Sequence, residues 1–264
     1  MIQKTQDGSS TVVSSIFGET YHSIFGAKQE SMHVFIDMGL RHVLANGKQV
    51  EPIRIFEMGL GTGLNAWLTY QFLKENHPLQ AAFYCGIEAY PLGAEVYKQL
   101  AYTDNEAEEA VFLSLHEGAW NQPFSWATNF EMLKLGHKLE GVDTSATVNC
   151  VRCLEGGEAS AKHRAIASPE GTDPAKQGHA QILIPQNYFD LMYYDAFAPS
   201  TQAELWELEP MQVLFDALKP GGVLVTYCAK GAFRRTLQAA GFSVERIPGP
   251  PRKREMLRAT KPKS

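Results

Sequence analysis

The spacing of apolar residues along the chain predicts strands that alternate with helices. Short apolar runs, typical of buried strands, lie at 53–57, 81–88, 130–139, 188–195, 223–228 and 242–247. Helical spacing, a leading proline or a flanking glycine predicts helices at 64–75, 91–101, 104–115, 204–218 and 233–240. Strands that alternate with helices favour a mostly parallel sheet with helices on both faces, so we expect an α/β, Rossmann-like fold.

Residues 1–50 precede this pattern and are expected to form an N-terminal extension packed on a main domain of residues 51–264. Within the extension, the apolar stretch 32–40 predicts a strand or hairpin. We also expect the strands at 223–228 and 242–247 to pair at one edge of the sheet, around the helix between them. Residues 155–180 are rich in Gly, Ala, Ser, Pro and Lys, which predicts a loop or an insertion.

Three glycines follow the first strand of the main domain, and they predict a cofactor-binding turn. Gly59, Gly61 and Gly63 come directly after Glu57, and a helical pattern begins after them. Glycines allow a ligand to approach the backbone closely, and the helix N-terminus offers unpaired N–H groups. The dinucleotide fingerprint is G-x-G-x-x-G, whereas this chain has G-x-G-x-G after an acid.

That difference favours S-adenosylmethionine (SAM), which carries a sulfonium and an amino group but no phosphate. An acid before the glycines, Glu57, suits those positive charges. Glu88, at the end of the next predicted strand, can accept hydrogen bonds from both hydroxyls of a ribose. The alternative is that Glu57 and Glu88 are ordinary charges at strand ends.

Composition narrows the functional classes. No run of about 18 apolar residues is present and the N-terminus is polar, so we expect a cytoplasmic protein without a membrane span. The four cysteines do not suggest a disulfide framework. Cys150 and Cys153 form one C-x-x-C without a second pair of ligands, so we expect no metal site.

Charge is distributed unevenly along the chain. The net charge is −5, yet residues 228–264 carry ten Lys or Arg against two Glu, a local balance of +8 that leaves −13 for the remainder. A basic C-terminal region on an acidic body indicates a polyanionic partner; a solvated basic face is the alternative.

The segment after the 188–195 strand is the candidate reaction site. Asp195 ends that strand and is followed by Ala-Phe-Ala-Pro-Ser. A carboxylate there can hold an ammonium group or take its proton before methyl transfer. Phe197 or Trp206 could face a planar base, although Trp206 is equally well explained as a core residue. The alternative for Asp195 is a strand-end acid that only organises its loop.

These motifs together resemble the methyltransferase part of the MnmC family, which makes 5-methylaminomethyl-2-thiouridine in tRNA. The resemblance covers most of residues 53–258. Its segments, in order, are Gly-Leu-Gly-Thr-Gly-Leu-Asn at 59–65, Asp-Ala-Phe-Ala-Pro-Ser at 195–200, Lys-Pro-Gly-Gly at 219–222, Lys-Gly-Ala-Phe-Arg-Arg at 230–235, Ala-Gly-Phe at 240–242 and Arg-Lys-Arg-Glu-Met-Leu at 252–257. Upstream, Tyr21 and residues 30–35 match the family more loosely.

The resemblance implies a class I SAM-dependent N-methyltransferase that converts 5-aminomethyl-2-thiouridine at the tRNA wobble position to its methylaminomethyl form. It implies that Asp195 is the active-site acid. It places the cofactor against Tyr21, Glu57, Gly59, Gly61, Gly63, Asn65, Glu88 and Asp143. The basic residues that we expect to contact tRNA are Lys230, Arg234, Arg235, Arg252, Lys253 and Arg254.

Two departures from the family pattern matter. Two-domain members continue into an FAD-dependent oxidase, whereas this chain ends at Ser264, so neither FAD nor the oxidative step is expected. The stretch 144–178 is longer than the pattern and is interpreted as an insertion. It leaves open which acid contacts the adenine: Glu140, Asp143, Glu155 or Glu158.

Three other functions remain open from the sequence. The first is a SAM-dependent methyltransferase for a small-molecule or protein amine, which gives the basic region no role. An NAD(P)-dependent oxidoreductase is disfavoured by the glycine spacing. A noncatalytic RNA-binding module would bind RNA but not SAM.

Overall fold

The computed structural model describes residues 1–46, 51–136 and 184–263, and within them it contains two β-sheets. Strands β1 and β2 form a small antiparallel pair at Ile2–Lys4 and Ser10–Val12. The main sheet contains β3 Ile53–Met58, β4 Ala82–Ile87, β5 Pro123–Ala127, β6 Phe130–Leu135, β7 Phe189–Tyr194, β8 Leu218–Thr226, β9 Ser243–Pro248 and β10 Glu255–Thr260.

The main sheet has the order β5-β6-β4-β3-β7-β8-β10-β9. The five strands from β6 to β8 are parallel, and the strands at both edges are antiparallel to their neighbours. From β3 the strand order proceeds along the chain towards one edge of the sheet, and from β7 it proceeds towards the other edge, so the order reverses between them. This reversal is the topological switch point of a doubly wound sheet, where ligands bind beyond the carboxyl ends of the strands.

Helices cover both faces of the main sheet. They are α1 Ala27–Ser31, which continues through a π-helical segment Met32–Leu40 into α2 Arg41–Asn46, then α3 Leu64–Asn76, α4 Ala94–Tyr97, α5 Glu106–Glu117, a 3₁₀ turn Ala203–Trp206, α6 Leu208–Ala217 and α7 Gly231–Ala239. Ile55 and Phe56 belong to separate apolar clusters, because successive strand residues point to opposite faces. The predicted α/β fold with helices on both faces is confirmed.

The predicted strand or hairpin at 32–40 is wrong, because this segment is helical. Val34, Phe35, Ile36 and Leu40 are buried, and the Phe35 ring lies 5.1 Å from the Tyr193 ring of the sheet. Apolar residues at three consecutive positions fit either kind of element. The four-residue spacing to Leu40 is the helical one, and packing on the sheet selects it.

The predicted pairing of strands 223–228 and 242–247 is also wrong. β10 lies between β8 and β9 and is antiparallel to both. Leu257 and Ala259 of β10 are fully buried. The sequence indicated only a few apolar residues there, because the charged residues Glu255 and Arg258 interrupt the apolar run and obscured the strand.

Most predicted helices are confirmed with shifted ends. The helix predicted at 91–101 is wrong except for the four residues Ala94–Tyr97. The helix predicted at 204–218 is divided, because Glu207 is extended, with φ −84° and ψ 177°. β5 was not predicted. Residues 137–139, the 155–180 loop and the insertion at 144–178 lie outside the described residues, and the division of the chain at 50/51 stays a prediction.

Candidate functional site

The candidate site lies at the switch point, where the strands β3 and β7 end side by side. Gly59 follows β3, and Asp195 follows β7 and donates its backbone N–H to the Met58 carbonyl at 3.0 Å. Glu88 follows β4 on the other side of β3, and its N–H bonds the Leu135 carbonyl at 2.9 Å. The glycine turn, Glu88 and Asp195 therefore lie together at one edge of the sheet, whereas Glu57 lies within β3 and is fully buried.

The turn at 59–63 requires glycine for two separate reasons. Gly59, Gly61 and Gly63 all have positive φ, at 87°, 49° and 74°, in the left-handed region that side chains disfavour. Space is also short, because a Cβ at Gly59 would lie 2.6 Å from the carbonyl oxygen of Asp195. The strands β3 and β7 can therefore approach each other at their ends only because residue 59 has no side chain.

A buried hydrogen-bond network connects Glu57 to Asp195. The Asn65 Nδ2 donates to Glu57 Oε1 at 2.7 Å and to Asp195 Oδ2 at 2.8 Å, and the Tyr84 hydroxyl donates to Glu57 Oε2 at 2.8 Å. Burial, followed by the nearby charge of Asp195, raises the pKa of Glu57 well above its usual value. Glu57 is fully buried. It orients Asn65, and through it Asp195, from behind the glycine turn.

A cavity, here called the turn cavity, opens in front of the glycine turn. The backbone of Gly59 and Gly61 lines it together with the rings of Phe17, Tyr21, Tyr90 and Phe197 and the acids Glu88, Asp195 and Glu204. Its described lining contains no Lys or Arg. Three carboxyl groups with no basic side chain among them would repel a pyrophosphate. They suit a cationic ligand, such as one with a sulfonium and an ammonium group.

Glu88 is held in place by backbone groups. Its Oε2 accepts the Gly61 N–H at 2.9 Å and its Oε1 accepts the Tyr90 N–H at 2.8 Å. Burial raises its pKa. The charge of Glu88, after burial, also contributes to raising the pKa of Tyr21 to about 12, so the phenol stays protonated and able to donate.

A second cavity, here called the side cavity, lies on the other side of Asp195. Its lining includes Phe25, Glu30, Tyr227, Lys253 and Asp195 itself. Tyr21 and Phe197 line both cavities and pack edge to face, with ring centroids 5.1 Å apart. Asp195 is thus exposed to both cavities, at the place where a donor bound in one could meet an acceptor bound in the other.

The pKa of the Asp195 carboxyl group lies near neutral pH. Burial and the charge of Glu30 raise its pKa, and the hydrogen bond from Asn65 and the charge of Lys253 lower it; the net result is a rise from 3.8 to about 7. A base with such a pKa is half ionised near neutral pH, where general acid–base catalysis is most effective.

Of the two aromatic residues suggested to face a base, only Phe197 lines the cavities. Trp206 is buried and donates its Nε1 to the Phe197 carbonyl at 2.8 Å, so it is a core residue that supports the loop.

The six predicted tRNA-contacting residues form two groups. Arg252, Lys253 and Arg254 are exposed in the loop between β9 and β10, and Lys253 lines the side cavity. The Arg252 guanidinium lies 4.4 Å from the centre of the Phe25 ring, and Lys253 is ion-paired to Glu30. Lys230, Arg234 and Arg235 lie at the start of α7 and outside the described lining of both cavities.

Sequence reasoning missed most of the residues that the N-terminal segment contributes. Phe17 lines the turn cavity, and Phe25 and Glu30 line the side cavity. The His22 imidazole bonds the Thr62 hydroxyl of the glycine turn at 2.7 Å, and burial lowers its pKa to about 4. Only the loose family match at Tyr21 and 30–35 pointed to this segment, because residues 13–26 form an irregular loop without a period.

The candidate adenine-contacting acids Glu140, Asp143, Glu155 and Glu158 lie outside the described residues, as do Cys150 and Cys153. Within the described ranges, no group of three or more His, Cys, Asp or Glu is placed to hold a metal ion. The helices of those ranges include none that is long and apolar enough to cross a membrane.

Comparisons with known proteins agree with this geometry. Residues 176–262 match a family of S-adenosyl-L-methionine-dependent methyltransferases. The tRNA 5-methylaminomethyl-2-thiouridine biosynthesis bifunctional protein MnmC of a Psychrobacter species is 28% identical over 277 residues, which cover 96% of this chain and 36% of that protein. The MnmC of Leptospira borgpetersenii is 28% identical over 251 residues, covering 94% of this chain and 33% of that protein.

The chain is similar to MnmC proteins over more than nine tenths of its length. It spans about a third of the length of these bifunctional relatives and corresponds to their methyltransferase part. The crystal structure of MnmC2 from Aquifex aeolicus superposes with a TM-score of 0.70 at 21% identity, covering 100% of this chain and 70% of that one, which establishes the shared fold. The fold, the glycine turn and the family match of residues 176–262 thus agree with those of SAM-dependent methyltransferases.

Proposed function

We propose that this protein transfers a methyl group from SAM to the primary amine of 5-aminomethyl-2-thiouridine at the wobble position of tRNA. The observation that carries the proposal is the position of Asp195 between the turn cavity and the side cavity. The MnmC names of the relatives supply the substrate, and similarity over more than nine tenths of the chain supports its transfer to this protein.

The proposed roles of the cofactor-side residues follow from their contacts. Gly59 and Gly61 allow the ligand to approach the backbone, Glu88 is fixed by two N–H groups where it can bond hydroxyls, and Tyr21 covers the turn. Gly63 begins α3, while Glu57 and Asn65 act from behind by holding Asp195. When bound, SAM supplies an electrophilic methyl carbon on its sulfonium.

Asp195 manages the proton of the acceptor. The substrate amine is mostly an ammonium at neutral pH and has no lone pair for attack. The carboxylate of Asp195 accepts one proton from that ammonium, and the freed nitrogen then forms a bond to the methyl carbon as the carbon–sulfur bond breaks. The methylated nitrogen keeps its two remaining protons as a secondary ammonium, S-adenosylhomocysteine leaves, and Asp195 returns its proton to solvent. Orientation and charge management by the protein suffice for such an in-line displacement.

The basic loop supports a tRNA acceptor. Arg252 and Arg254 are exposed and flank Lys253, which lines the side cavity, so they can contact phosphates while a nucleotide reaches Asp195. Lys230, Arg234 and Arg235 on α7 extend the proposed contact surface. A cytoplasmic location remains a prediction that fits a tRNA substrate.

A methyltransferase for a small-molecule or protein amine is the alternative, and the size of the accepted substrate separates the two. We expect kcat/KM to be far higher with an aminomethyl-bearing tRNA than with the free nucleoside 5-aminomethyl-2-thiouridine, and to fall steeply with salt only for the tRNA. Equal kcat/KM for both substrates, without a salt effect, would favour the alternative.

A further inference from the structure

The side cavity already contains a primary ammonium group, that of Lys253. Its Nζ is ion-paired to the carboxylate of Glu30 and lies 4.7 Å from the centre of the Tyr227 ring. A carboxylate and an aromatic face are the two groups that recognise alkylammonium ions. The lysine side chain therefore marks a place in the fold where an alkylammonium is held, next to Asp195.

Glu30 and Lys253 lie at the boundary between the side cavity and the solvent. Both residues line the side cavity and also an outer groove, whose lining includes Asp7, Gln29 and Arg252. The Glu30 side chain is only 16% exposed, whereas that of Lys253 is 41% exposed. Glu30 is thus part of the wall, and Lys253 reaches it from a surface loop.

The Lys253 side chain can move out of the side cavity without disrupting the fold. A partly exposed ion pair contributes little to stability, and long lysine side chains reorient freely. The outer groove offers Asp7 as another carboxylate near a displaced Lys253. Glu30, in contrast, belongs to α1, which is packed against the π-helical segment and α3.

We propose that Glu30 and the face of Tyr227 form the binding site for the ammonium group of the substrate, and that Lys253 fills this site until the substrate displaces it. The inference rests on the proposed function and names the group that recognises the amine. Tyr227 is fixed for this role because its hydroxyl donates to the Ala196 carbonyl at 2.8 Å, directly beside Asp195. The charge of Glu30 already acts on Asp195, so both carboxylates face the same space.

The test measures binding to the protein loaded with S-adenosylhomocysteine, so that no turnover occurs. The probes are two anticodon stem-loop RNAs that differ only at the wobble uridine, which carries either 5-aminomethyl or the neutral 5-hydroxymethyl group. We expect the wild-type protein to prefer the amine about ten- to one-hundred-fold, as for a hydrogen bond to a charged group. Glu30→Gln should remove this preference and leave the affinity for the hydroxymethyl RNA unchanged.

Two further variants complete the design. Glu255→Gln removes a carboxylate from another ion pair of the C-terminal region, that with Arg246 at 3.3 Å, and should keep the full preference. Lys253→Met removes the competing ammonium and should increase the preference for the amine. Unchanged affinity of each variant for S-adenosylhomocysteine verifies that it is folded.

The outcomes separate this inference from the proposed function. Retention of the preference in Glu30→Gln, or its loss in Lys253→Met, would overturn the ammonium site even if the wild-type protein methylates aminomethyl tRNA. A wild-type protein that neither prefers the amine nor methylates it would overturn the proposed function as well.

Discussion

At the scale of single residues, the proposed mechanism depends on the ionisation of Asp195. Burial raises its pKa to about 7, and the proposed step requires its deprotonated form. We therefore expect kcat/KM for methyl transfer to rise with pH and to level off above about 7. A pH–rate profile with saturating SAM measures this. A flat profile between pH 5.5 and 8 would contradict the assignment.

Replacement of Asp195 by Asn should abolish most of the methyl transfer while SAM still binds. The loss of a general base costs about a hundred-fold or more in rate. The amide oxygen of the introduced side chain can still accept the hydrogen bond that Asn65 donates at 2.8 Å in the native protein. Calorimetry measures the SAM binding that should be retained, and a methyl-transfer assay measures the activity that should be lost. Full activity in the variant would refute the role of Asp195 as the base.

The same substitution should stabilise the fold at neutral pH. The pKa of Asp195 rises from 3.8 to about 7 on folding, so the native state binds more protons in that window and its stability falls as pH rises through it. The free energy of unfolding of the Asp195→Asn variant should therefore exceed that of the wild type by up to about 4 kcal/mol at pH 8 and should equal it at pH 3. Urea unfolding at both pH values measures the difference.

Gly59 and Gly8 offer a matched pair for testing the glycine turn. Their φ values are nearly equal, at 87° and 84°, but a Cβ at Gly8 would meet no atom within 4 Å, whereas at Gly59 it would lie 2.6 Å from the Asp195 carbonyl oxygen. Both alanine variants carry the same backbone strain, but only Gly59→Ala adds a steric clash. Gly59→Ala should therefore lose about 1–3 kcal/mol more stability than Gly8→Ala, and it should also lose SAM affinity. Equal losses of stability in thermal unfolding would contradict the close approach.

At the scale of elements, the N-terminal segment forms one wall of the site. Tyr21 touches the glycine turn, because a Cβ at Gly61 would lie 2.8 Å from its ring. Tyr21→Ala should weaken SAM binding roughly ten-fold through the lost ring contact, whereas Tyr21→Phe should bind nearly as the wild type. Binding calorimetry with both variants tests this, and wild-type affinity in Tyr21→Ala would show that the segment is not part of the cofactor site.

The central elements were predictable from the sequence, and the flanking ones were not. β3, β4 and β7 are short apolar runs between turns, with buried patterns on both faces. The strand prediction for 32–40 was wrong because three consecutive apolar residues suit a strand as well as a helix. Packing against Tyr193 of the sheet selects the helix. β10 was not predicted because its pairing with β8 and β9 depends on tertiary contacts.

At the scale of the whole molecule, the acidic body and the basic C-terminal region define the expected docking face. Replacing Arg252 and Arg254 by Ala should weaken tRNA binding, reduce the slope of log K against log salt by about one to two, and leave SAM binding unchanged. Lys74→Ala is the control, because Lys74 is exposed in the last turn of α3, away from the glycine turn. Equal losses of tRNA and SAM affinity in the double variant would contradict a separate RNA surface.

How much of the site could be predicted also depends on scale. Residues that follow strands of one parallel sheet must meet at its edge, so Gly59, Glu88 and Asp195 were predictable together. Glu30 and Tyr227 could not be predicted as neighbours, because they come from a helix ahead of the sheet and from the residue that follows β8. Only the folded chain brings them to the same cavity.

The proposed activity is methylation of the amine of a wobble aminomethyl group. Its most direct test is mass spectrometry of nucleosides from aminomethyl-bearing tRNA that has been incubated with the protein and SAM. We predict a mass gain of one methyl group on the wobble nucleoside, which is absent with Asp195→Asn. An unmodified wobble nucleoside, or a methyl group on another nucleoside, would contradict the proposed activity.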